Sequence, residues 1–355
     1  MSIAPFEYDL PAERIAFYPP TERGGSRLLC LNRETGRIVD RHYAELAEIL
    51  RPDDLVIINN TRVIKARLLT KTQDGREREL FLSEKHAAPL LAMTARVIYR
   101  GKLRVGDVLT VGDENLEVIQ LFDGGQAVIR ATLPPQVIAE RYGHVPLPPY
   151  IKRADVPDDR ERYQAVFARK DGSVAAPTAS LNLTDEIITK MKARGIKIEP
   201  LTLHVGRGTF LPIRTDSVEE HVMHQEYYSI PQRTVRAIRQ AKQEGRRVVA
   251  IGTTVTRALE HAAEALIHPI QEPGGSRHAD RRLRDLIRGE ADIFITPGYK
   301  FSIVNALLTN FHAPDSTVLQ LVAAFAGVSR LEKAYRHALH GDYQFLSYGD
   351  SMFIE

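Results

Sequence analysis

Short apolar runs, separated by glycine-containing turns, fill residues 65–150. The runs lie at residues 79–82, 91–99, 107–111, 117–122 and 127–132. Asp-Gly, Arg-Gly, Val-Gly and Gly-Gly pairs stand between them. Strands of this length and spacing, joined by glycine turns, are typical of a small antiparallel barrel or sandwich. We interpret the segment as a small antiparallel β-barrel.

From about residue 160 the pattern changes, and strand-length apolar runs alternate with helix-length segments. The pattern predicts strands at 197–204, 247–251, 292–296 and 344–348, and helices at 234–242, 255–265, 316–326 and 331–339. Residues 55–58 add a fully apolar strand before the barrel segment. Such alternation predicts an α/β fold with a layered α/β/α sheet domain. We therefore predict that residues 1–64 and 151–355 form one discontinuous α/β domain, interrupted by an inserted β-barrel domain at residues 65–150.

The composition is that of an ordinary globular protein. Of 355 residues, 43% are hydrophobic and 26% are charged, and the formal net charge is +3. This excess is too small to identify nucleic acid as a partner, although a local basic face would suffice. The one cysteine, Cys30, permits no intrachain disulfide and no Cys-based zinc site, which fits a reducing cytoplasm. No apolar run approaches the ~18 residues that span a bilayer, so we expect no membrane partner.

Polar residues follow several predicted strands at their carboxyl ends, where open α/β sheets bind ligands. These residues are Asn60 and Arg62 after the first strand, His204, Gly206, Gly208 and Thr209 after the second, and Thr253, Thr254 and Arg257 after the third. The two glycines lack the third glycine of a dinucleotide-binding turn, and they fit a close ligand approach or a positive-φ turn equally well. The two threonines fit an anion site at a helix N-terminus, with a simple N-cap as the alternative.

The segment 308–317 concentrates hydrogen-bonding side chains between two core elements. It contains Thr309, Asn310, His312, Asp315 and Ser316 within a few positions. An N-cap at Asp315 or Ser316 explains only those two residues. A loop does not need the other three merely to turn, so we favour a ligand site here.

Other candidates are less specific. His221 and His224 have carboxylates on both sides, but their spacing is not that of a zincin helix, so we expect no metal and either a substrate-orienting or a structural role. Thr178 lies in a run of small residues that allows close approach of a ligand or is only a loop. Tyr348 and Asp350 bring a phenol and a carboxylate, for acid–base chemistry or for a cap.

Many motifs occur together and in one order. They include Tyr8-Asp9-Leu10-Pro11, Ser26-Arg27-Leu28-Leu29, Asn59-Asn60-Thr61-Arg62, Pro146-Leu147-Pro148-Pro149-Tyr150, Ala175-Ala176-Pro177-Thr178-Ala179, Gly206-Arg207-Gly208, His221-Val222-Met223-His224, Gly252-Thr253-Thr254, Pro297-Gly298, Thr309-Asn310-Phe311-His312 and Ser347-Tyr348-Gly349-Asp350. Over nearly the whole chain, this series resembles the S-adenosylmethionine:tRNA ribosyltransferase-isomerases of queuosine biosynthesis.

The resemblance implies an α/β domain interrupted by a small β-barrel. It also implies a reaction in which the ribosyl part of S-adenosylmethionine is transferred and isomerised onto the aminomethyl-deazaguanine base at the tRNA wobble position. Epoxyqueuosine is formed, and adenine and methionine are released. The resemblance implies S-adenosylmethionine and tRNA as substrates, with no metal and no bound cofactor. We expect a monomeric, cytoplasmic enzyme.

The implied reaction needs a base for the proton on the 5′ carbon, which the sulfonium acidifies, and an acid for the departing adenine. The candidate catalytic residues are His204, His221, His224, His312 and Asp350. Thr253, Thr254 and Asn310 are candidates to hold ribose hydroxyls or the amino-acid end, and Arg257 to pair with the methionine carboxylate. The other candidate substrate-binding residues are Asn60, Arg62, Thr178, Gly206, Gly208, Thr209, Thr309, Ser316 and Tyr348.

Five positions depart from the family pattern. Ser180, Asn182 and Leu183 stand where the family has Gly, His and Phe, while Val255 and Thr296 replace Ser and Tyr. Asparagine cannot be a general base at neutral pH, and we expect these changes to lie near the site. The alternatives are a paralogue that uses S-adenosylmethionine with a non-tRNA acceptor, and a non-catalytic RNA- or nucleoside-binding protein. The histidines and the carboxylate weigh against the latter, because binding alone needs fewer titratable groups.

Overall fold

The computed structural model describes residues 6–82, 92–206, 225–268, 286–314 and 316–355. Within these ranges, no helix has the length and apolar character needed to cross a membrane. The strands are β1 (Arg27–Leu31), β2 (Ile38–His42), β3 (Leu55–Asn59), β4 (Thr61–Val63), β5 (Arg67–Thr72), β6 (Glu77–Leu82), β7 (Thr94–Arg100), β8 (Val108–Val111), β9 (Glu114–Phe122), β10 (Gln126–Ala131), β11 (Lys170–Ser173), β12 (Lys197–Leu203), β13 (Glu226–Pro231), β14 (Val248–Ile251), β15 (Leu286–Ala291), β16 (Ala306–Asn310) and β17 (Ser351–Ile354). The helices are α1 (Leu46–Ile49), α2 (Pro135–Tyr142), α3 (Asp159–Arg162), α4 (Asp185–Ala193), α5 (Gln232–Gln243), α6 (Thr253–His261), α7 (Ala263–Ile267), α8 (Thr317–Ala326) and α9 (Val328–His340).

The described strands of the α/β part form one sheet of nine, in the order β15-β13-β12-β3-β14-β16-β17-β1-β2. Strands β12, β3, β14 and β16 are parallel neighbours at its centre. Alternate residues of β3 enter two cores, because side chains alternate across a sheet. Leu55 and Ile57 pack with residues of α5, α6 and α8, whereas Val56 and Ile58 pack with residues of α1 and α4. The predicted α/β/α layering is confirmed.

The predicted barrel is also confirmed. Six described strands close in the order β10-β7-β6-β5-β8-β9, with every pair antiparallel. Strand β5 was not predicted because its buried positions are Leu68 and Thr70, and a buried threonine gives no apolar signal. Helix α2 was not predicted either, since it begins at Pro135 directly after Pro134, a pair that is equally typical of loops. The domain boundaries at residues 64/65 and 150/151 stay a prediction.

Two predicted strands are wrong. Residues 292–296 are irregular, and the strand before the polar segment is β16, which itself contains Thr309 and Asn310. Residues 344–348 form turns around an isolated bridge at Phe345, and the strand is β17 instead. Both runs are apolar because residues such as Ile295 and Phe345 are buried against the core. Burial gives a run its apolar character whether or not its backbone pairs. The helix predicted at 255–265 is divided into α6 and α7.

An ion-pair network joins the other end of the central strands. The Arg247 guanidinium donates to both carboxylate oxygens of Asp54 at 2.8 and 2.7 Å, and to Oε2 of Glu355 at 2.6 Å. Burial opposes the charge of Arg247, but the two carboxylates outweigh this and raise its pKa. The network ties the starts of β3 and β14 to the end of β17.

Candidate active site

A cavity of about 200 Å³ opens at the carboxyl ends of β14 and β16. Its walls come from the segment before β17, the linker after the barrel, the small-residue run and the ends of the two strands. Seven predicted site residues line it: Thr178, Thr253, Thr254, Thr309, Asn310, His312 and Ser316. The structure therefore brings together the motifs that follow β14 and those in and after β16.

Helix α6 directs its N-terminus at the cavity. Gly252 precedes the helix with a φ of +98°, a left-handed conformation that glycine adopts without strain. No side chain among the described residues caps this helix, and Thr253 and Thr254 form its first turn on the cavity wall. The N-cap alternative for these threonines is therefore wrong, because Gly252 holds that position. Uncapped first-turn N–H groups and the helix dipole together favour an anion.

Asn310 ends β16 and is almost completely buried at the cavity wall. Its Nδ2 donates to the carbonyl oxygen of Asp350 at 3.4 Å. This contact fixes the amide orientation, because Oδ1 cannot accept from a carbonyl oxygen. Oδ1 is buried and has no hydrogen-bond partner in the part of the chain that the structure describes. An unsatisfied buried acceptor in a folded protein requires a physical reason.

His312 lies on the same wall and is held from three sides. Its Nε2 is 2.8 Å from Oγ1 of Thr309, and its backbone N–H donates to the hydroxyl of Tyr335 at 2.8 Å. Its carbonyl oxygen accepts a hydrogen bond from the hydroxyl of Tyr8. Burial lowers the pKa of His312 to about 4. The imidazole is consequently uncharged at neutral pH and able to accept a proton.

Ser316 has two functions in the geometry. Its Oγ accepts from the backbone N–H of Leu319 at 3.3 Å, which makes Ser316 the N-cap of α8. The residue also lines the cavity. The predicted cap is present, and it does not remove Ser316 from the site.

Two other predicted residues hold the neighbouring strand ends together. Nδ1 of His204, just after β12, is 2.8 Å from Oγ1 of Thr61. Oδ1 of Asn60 accepts from the hydroxyl of Thr202 at 2.7 Å. Neither His204 nor Asn60 lines the cavity, although Val205 does. Gly206 is described and does not line it either.

Asp350 and Tyr348 also lie behind the cavity wall. The Asp350 carboxylate accepts from the backbone N–H groups of Arg27 at 2.7 Å and Gln344 at 2.8 Å, and burial raises its pKa. The Tyr348 hydroxyl donates to the Asp159 carboxylate at 2.7 Å, and burial followed by this contact raises the pKa of Tyr348. Both groups join separate segments of the chain, and neither touches the cavity.

The two predicted arginines are engaged elsewhere. Arg257 is buried and donates to the Glu226 carboxylate at 2.6 Å and to the carbonyl oxygen of Ala291 at 2.7 Å. Arg62 is exposed, donates to the carbonyl oxygen of Ala168 at 2.8 Å and lines a second cavity beside α2. Gly208, Thr209, His221 and His224 lie outside the described residues.

A model of the family described as queuosine biosynthesis protein matches residues 3–354. The chain belongs to this family. The S-adenosylmethionine:tRNA ribosyltransferase-isomerase of Chlorobaculum parvum is 53% identical over 355 residues, and that of Geotalea uraniireducens is 44% identical over 359 residues. Each comparison covers all of both chains. The crystal structure of S-adenosylmethionine tRNA ribosyltransferase from Thermotoga maritima is 31% identical, with a TM-score of 0.54 and 99% of this chain and 100% of that chain covered.

The predictions of the family and of an enzyme are thereby confirmed. As a member of the queuosine biosynthesis family, the chain is a transferase and isomerase, like the curated relatives that it matches from end to end. Among the described residues, no group of three His, Cys, Asp or Glu side chains is arranged to hold a metal. The expected absence of a metal and cofactor stays a prediction.

The departures from the queuosine biosynthesis family pattern do not line the cavity. Leu183 and Val255 belong to the two cores of the sheet. Asn182 is buried, accepts from the Ser26 hydroxyl at 3.0 Å and donates to the carbonyl oxygen of Gly349 at 3.4 Å. Ser180 and Val255 come closest along the chain, because they adjoin Ala179 and Thr254 of the wall. Their effect on the site stays a prediction.

Two cavity residues with polar side chains were missed among the candidate site residues. Tyr150 and Ser347 both line the cavity, and their hydroxyl oxygens are 2.5 Å apart. Burial raises the pKa of Tyr150 to about 12, so it remains a neutral phenol. The proline-rich motif that ends at Tyr150 was the available signal, because a stiff linker between two domains places its last residue at their junction.

Proposed function

We propose that the chain transfers and isomerises the ribosyl part of S-adenosylmethionine onto the aminomethyl-deazaguanine base at the tRNA wobble position. Epoxyqueuosine-tRNA is formed, and adenine and methionine are released. The observation that carries the proposal is the cavity at the ends of β14 and β16, where seven predicted site residues meet. Relatives that bear this activity in their names and match the whole chain support it.

His312 is the proposed base. Among the predicted catalytic residues that the structure describes, His312 lines the cavity. Its pKa of about 4 leaves the imidazole unprotonated at neutral pH. Such a low pKa makes a weak base, so the acidity must come mainly from the sulfonium beside the 5′ carbon. Thr309 lies 2.8 Å from Nε2 and can orient the ring for the transfer.

The proposed reaction needs no metal and no bound cofactor, because the sulfonium acidifies the 5′ carbon and leaves as methionine, while adenine leaves with a proton. We also propose that the enzyme works as a monomer in the cytoplasm. The single cysteine, Cys30, fits a reducing compartment, and burial raises its pKa to about 12.

The test is a turnover assay of the purified chain with S-adenosylmethionine and tRNA that carries the aminomethyl-deazaguanine base. We expect one adenine released for each epoxyqueuosine detected by mass spectrometry, and neither product with tRNA that carries guanine at the wobble position. Adenine without tRNA modification would instead indicate another acceptor. Binding of S-adenosylmethionine without any adenine would contradict catalysis.

The same assay tests the proposed base through His312→Gln. We expect a fall in turnover of roughly 10²- to 10⁴-fold, the usual contribution of a general base, with S-adenosylmethionine still bound. His337→Gln is the matched control, because His337 is on α9, is exposed and pairs with Asp40 at 3.0 Å. Equal turnover in both variants would remove His312 from the chemistry.

A further inference from the structure

Two polar features of the cavity lack a hydrogen-bond partner among the described residues. The first is the N-terminus of α6, a helix of nine residues with no side-chain cap in the described chain. Its first turn offers N–H donors and partial positive charge. The second is Oδ1 of Asn310, a buried acceptor without a described donor. One feature requires an anion and the other requires a donor.

The sheet holds these two features next to each other. Strands β14 and β16 are parallel neighbours with Ile251 opposite Leu308, and the N–H of Gly252 donates to the carbonyl oxygen of Leu308 at 2.8 Å. Thr253 lies two positions after Ile251, and Asn310 lies two positions after Leu308. Adjacent strands lie about 4.8 Å apart, so one small group can reach both features.

The orientation of the Asn310 amide is fixed. Its Nδ2 donates to the carbonyl oxygen of Asp350, whose own carboxylate is held by two backbone N–H groups. Rotating the amide would place Oδ1 against that carbonyl oxygen, which cannot donate. The side chain therefore presents an acceptor, and not a donor, to its unpaired side.

Some other polar groups of the wall already have partners, whereas the hydroxyls of Thr178, Thr253 and Thr254 have none among the described residues. Oγ1 of Thr309 is paired with Nε2 of His312, and the hydroxyls of Tyr150 and Ser347 are paired with each other. The remaining lining includes apolar side chains such as Val205, Phe311 and Val318. A ligand that satisfies the cavity thus needs an anion and a strong donor close together, joined to an apolar part.

We propose that the cavity recognises the α-amino-acid group of S-adenosylmethionine, with the carboxylate at the N-terminus of α6 and the ammonium on Oδ1 of Asn310. This inference rests on the proposed function of the cavity. An α-amino acid carries its carboxylate and ammonium on one carbon, which matches the adjacent demands of Thr253 and Asn310. A ribose hydroxyl can also donate to Oδ1, but ribose has no anion for the helix.

The proposal is tested by pairing variants with ligands and measuring binding by calorimetry without tRNA. The probes are S-adenosylmethionine, its deaminated analogue, which keeps the carboxylate, and its decarboxylated analogue, which keeps the ammonium. We expect wild type to bind both analogues more weakly than S-adenosylmethionine. We expect Asn310→Ala to weaken S-adenosylmethionine and the decarboxylated analogue about tenfold or more, the usual effect of losing a hydrogen bond to a charged group. It should leave the deaminated analogue unchanged.

The ratio of the affinities for S-adenosylmethionine and the deaminated analogue keeps the test decisive even if the substitution also destabilises the protein, because a general loss of structure would weaken both ligands. Asn310→Gln keeps the amide but moves its oxygen by one methylene, so it should also lower the preference for S-adenosylmethionine over the deaminated analogue. Gln240→Ala, on the exposed side of α5, is the control and should leave all affinities unchanged. If Asn310→Ala weakens the binding of S-adenosylmethionine and of the deaminated analogue equally, Asn310 contacts another group and the inference is wrong.

The outcome also separates this inference from the proposed function. The inference alone would be overturned if wild type binds S-adenosylmethionine and modifies tRNA, but both Asn310 variants keep the wild-type ratio of affinities for S-adenosylmethionine and the deaminated analogue. Wild type that does not bind S-adenosylmethionine would overturn both.

Discussion

At the scale of residues, the site is distinguished by which polar groups still have hydrogen-bonding capacity. Arg257, Asp350 and Tyr348 have the right chemistry for catalysis or binding, but each is committed to a partner inside the protein. Asn310 and His312 face the cavity instead. Residue type and motif make all five residues equally good candidates, and only the packing shows which of them face the cavity.

The partly buried imidazole of His312 predicts a pH dependence of stability. Its folded pKa of about 4 lies below the ordinary value of 6.5, so the unfolded chain binds more protons between these two values. Stability should therefore fall as the pH drops from about 6.5 to about 4, by on the order of 1–3 kcal/mol, and His312 should add no slope above that window. Urea unfolding of wild type and His312→Gln at pH 4.5, 5.5 and 7 measures this.

His337→Gln is the control for replacing a histidine outside the cavity, because His337 is exposed on α9. The expectation fails if His312→Gln and wild type lose stability in parallel as the pH falls. A parallel loss would mean that carboxylates elsewhere in the chain dominate the acid response.

The sequence was sufficient to predict the wall residues that stand directly at strand ends. Thr253 and Thr254 follow an all-apolar strand, and Asn310 and Thr309 stand in an unusually polar segment. It was not sufficient for Arg257, because its partner Glu226 lies 31 positions earlier in the chain and no local pattern joins them. Asn182 shows the same limit, since its contacts with Ser26 and Gly349 depend on long-range packing.

At the scale of elements, the two helices that meet the cavity begin differently. Helix α8 is capped by Ser316, whereas α6 follows Gly252 and has no side-chain cap in the described chain. The capped terminus has its first N–H groups partly satisfied, and the uncapped one can offer them to a ligand. The sequence predicts this difference only in part. Ser316 is a recognisable cap, but Gly252 does not indicate that the first-turn N–H groups of α6 lack one.

The cap predicts a separation between stability and binding. Ser316→Ala removes an acceptor for the Leu319 N–H and should cost about 1 kcal/mol of unfolding free energy. Thr184→Ala is its matched control, because Thr184 caps α4 in the same way at 3.1 Å and does not line the cavity. Both variants should be destabilised similarly in denaturant, but only Ser316→Ala should weaken S-adenosylmethionine in calorimetry. Equal binding by the two variants would limit Ser316 to its role as a cap.

Element assignment from the sequence succeeded where burial and pairing coincide. Strands β3 and β14 are buried at every position and lie at the centre of the sheet, so their apolar runs identify them. It failed at residues 292–296 and 344–348, where the same apolar character comes from packing against the core without pairing.

At the scale of the whole molecule, the α/β part depends on contacts between distant segments. Arg247 links Asp54 with Glu355 beneath the central strands. Asp54 is almost fully buried, so removing its partner leaves a buried charge uncompensated.

Arg247→Met should therefore destabilise the protein by roughly 3–5 kcal/mol, measured by denaturant unfolding near neutral pH. Arg336→Met is the comparison, because Arg336 forms an exposed pair with Glu332 one helical turn away and should cost less than about 0.5 kcal/mol. A loss below 1 kcal/mol for Arg247→Met would show that water or another cation can replace its guanidinium.

The position of β17 has a consequence for how the protein is made. This strand lies inside the sheet, antiparallel to β16 and parallel to β1, and 324 positions separate Arg27 from Ser351. At ~5–20 residues per second, a ribosome needs roughly 15–65 seconds to add that length of chain. During this time β1 presents an unpaired inner edge, and β16 does so once it has been made. An unpaired edge is the kind of surface that recruits strands from other chains. The sheet therefore cannot be completed on the nascent chain until the strand between them has emerged.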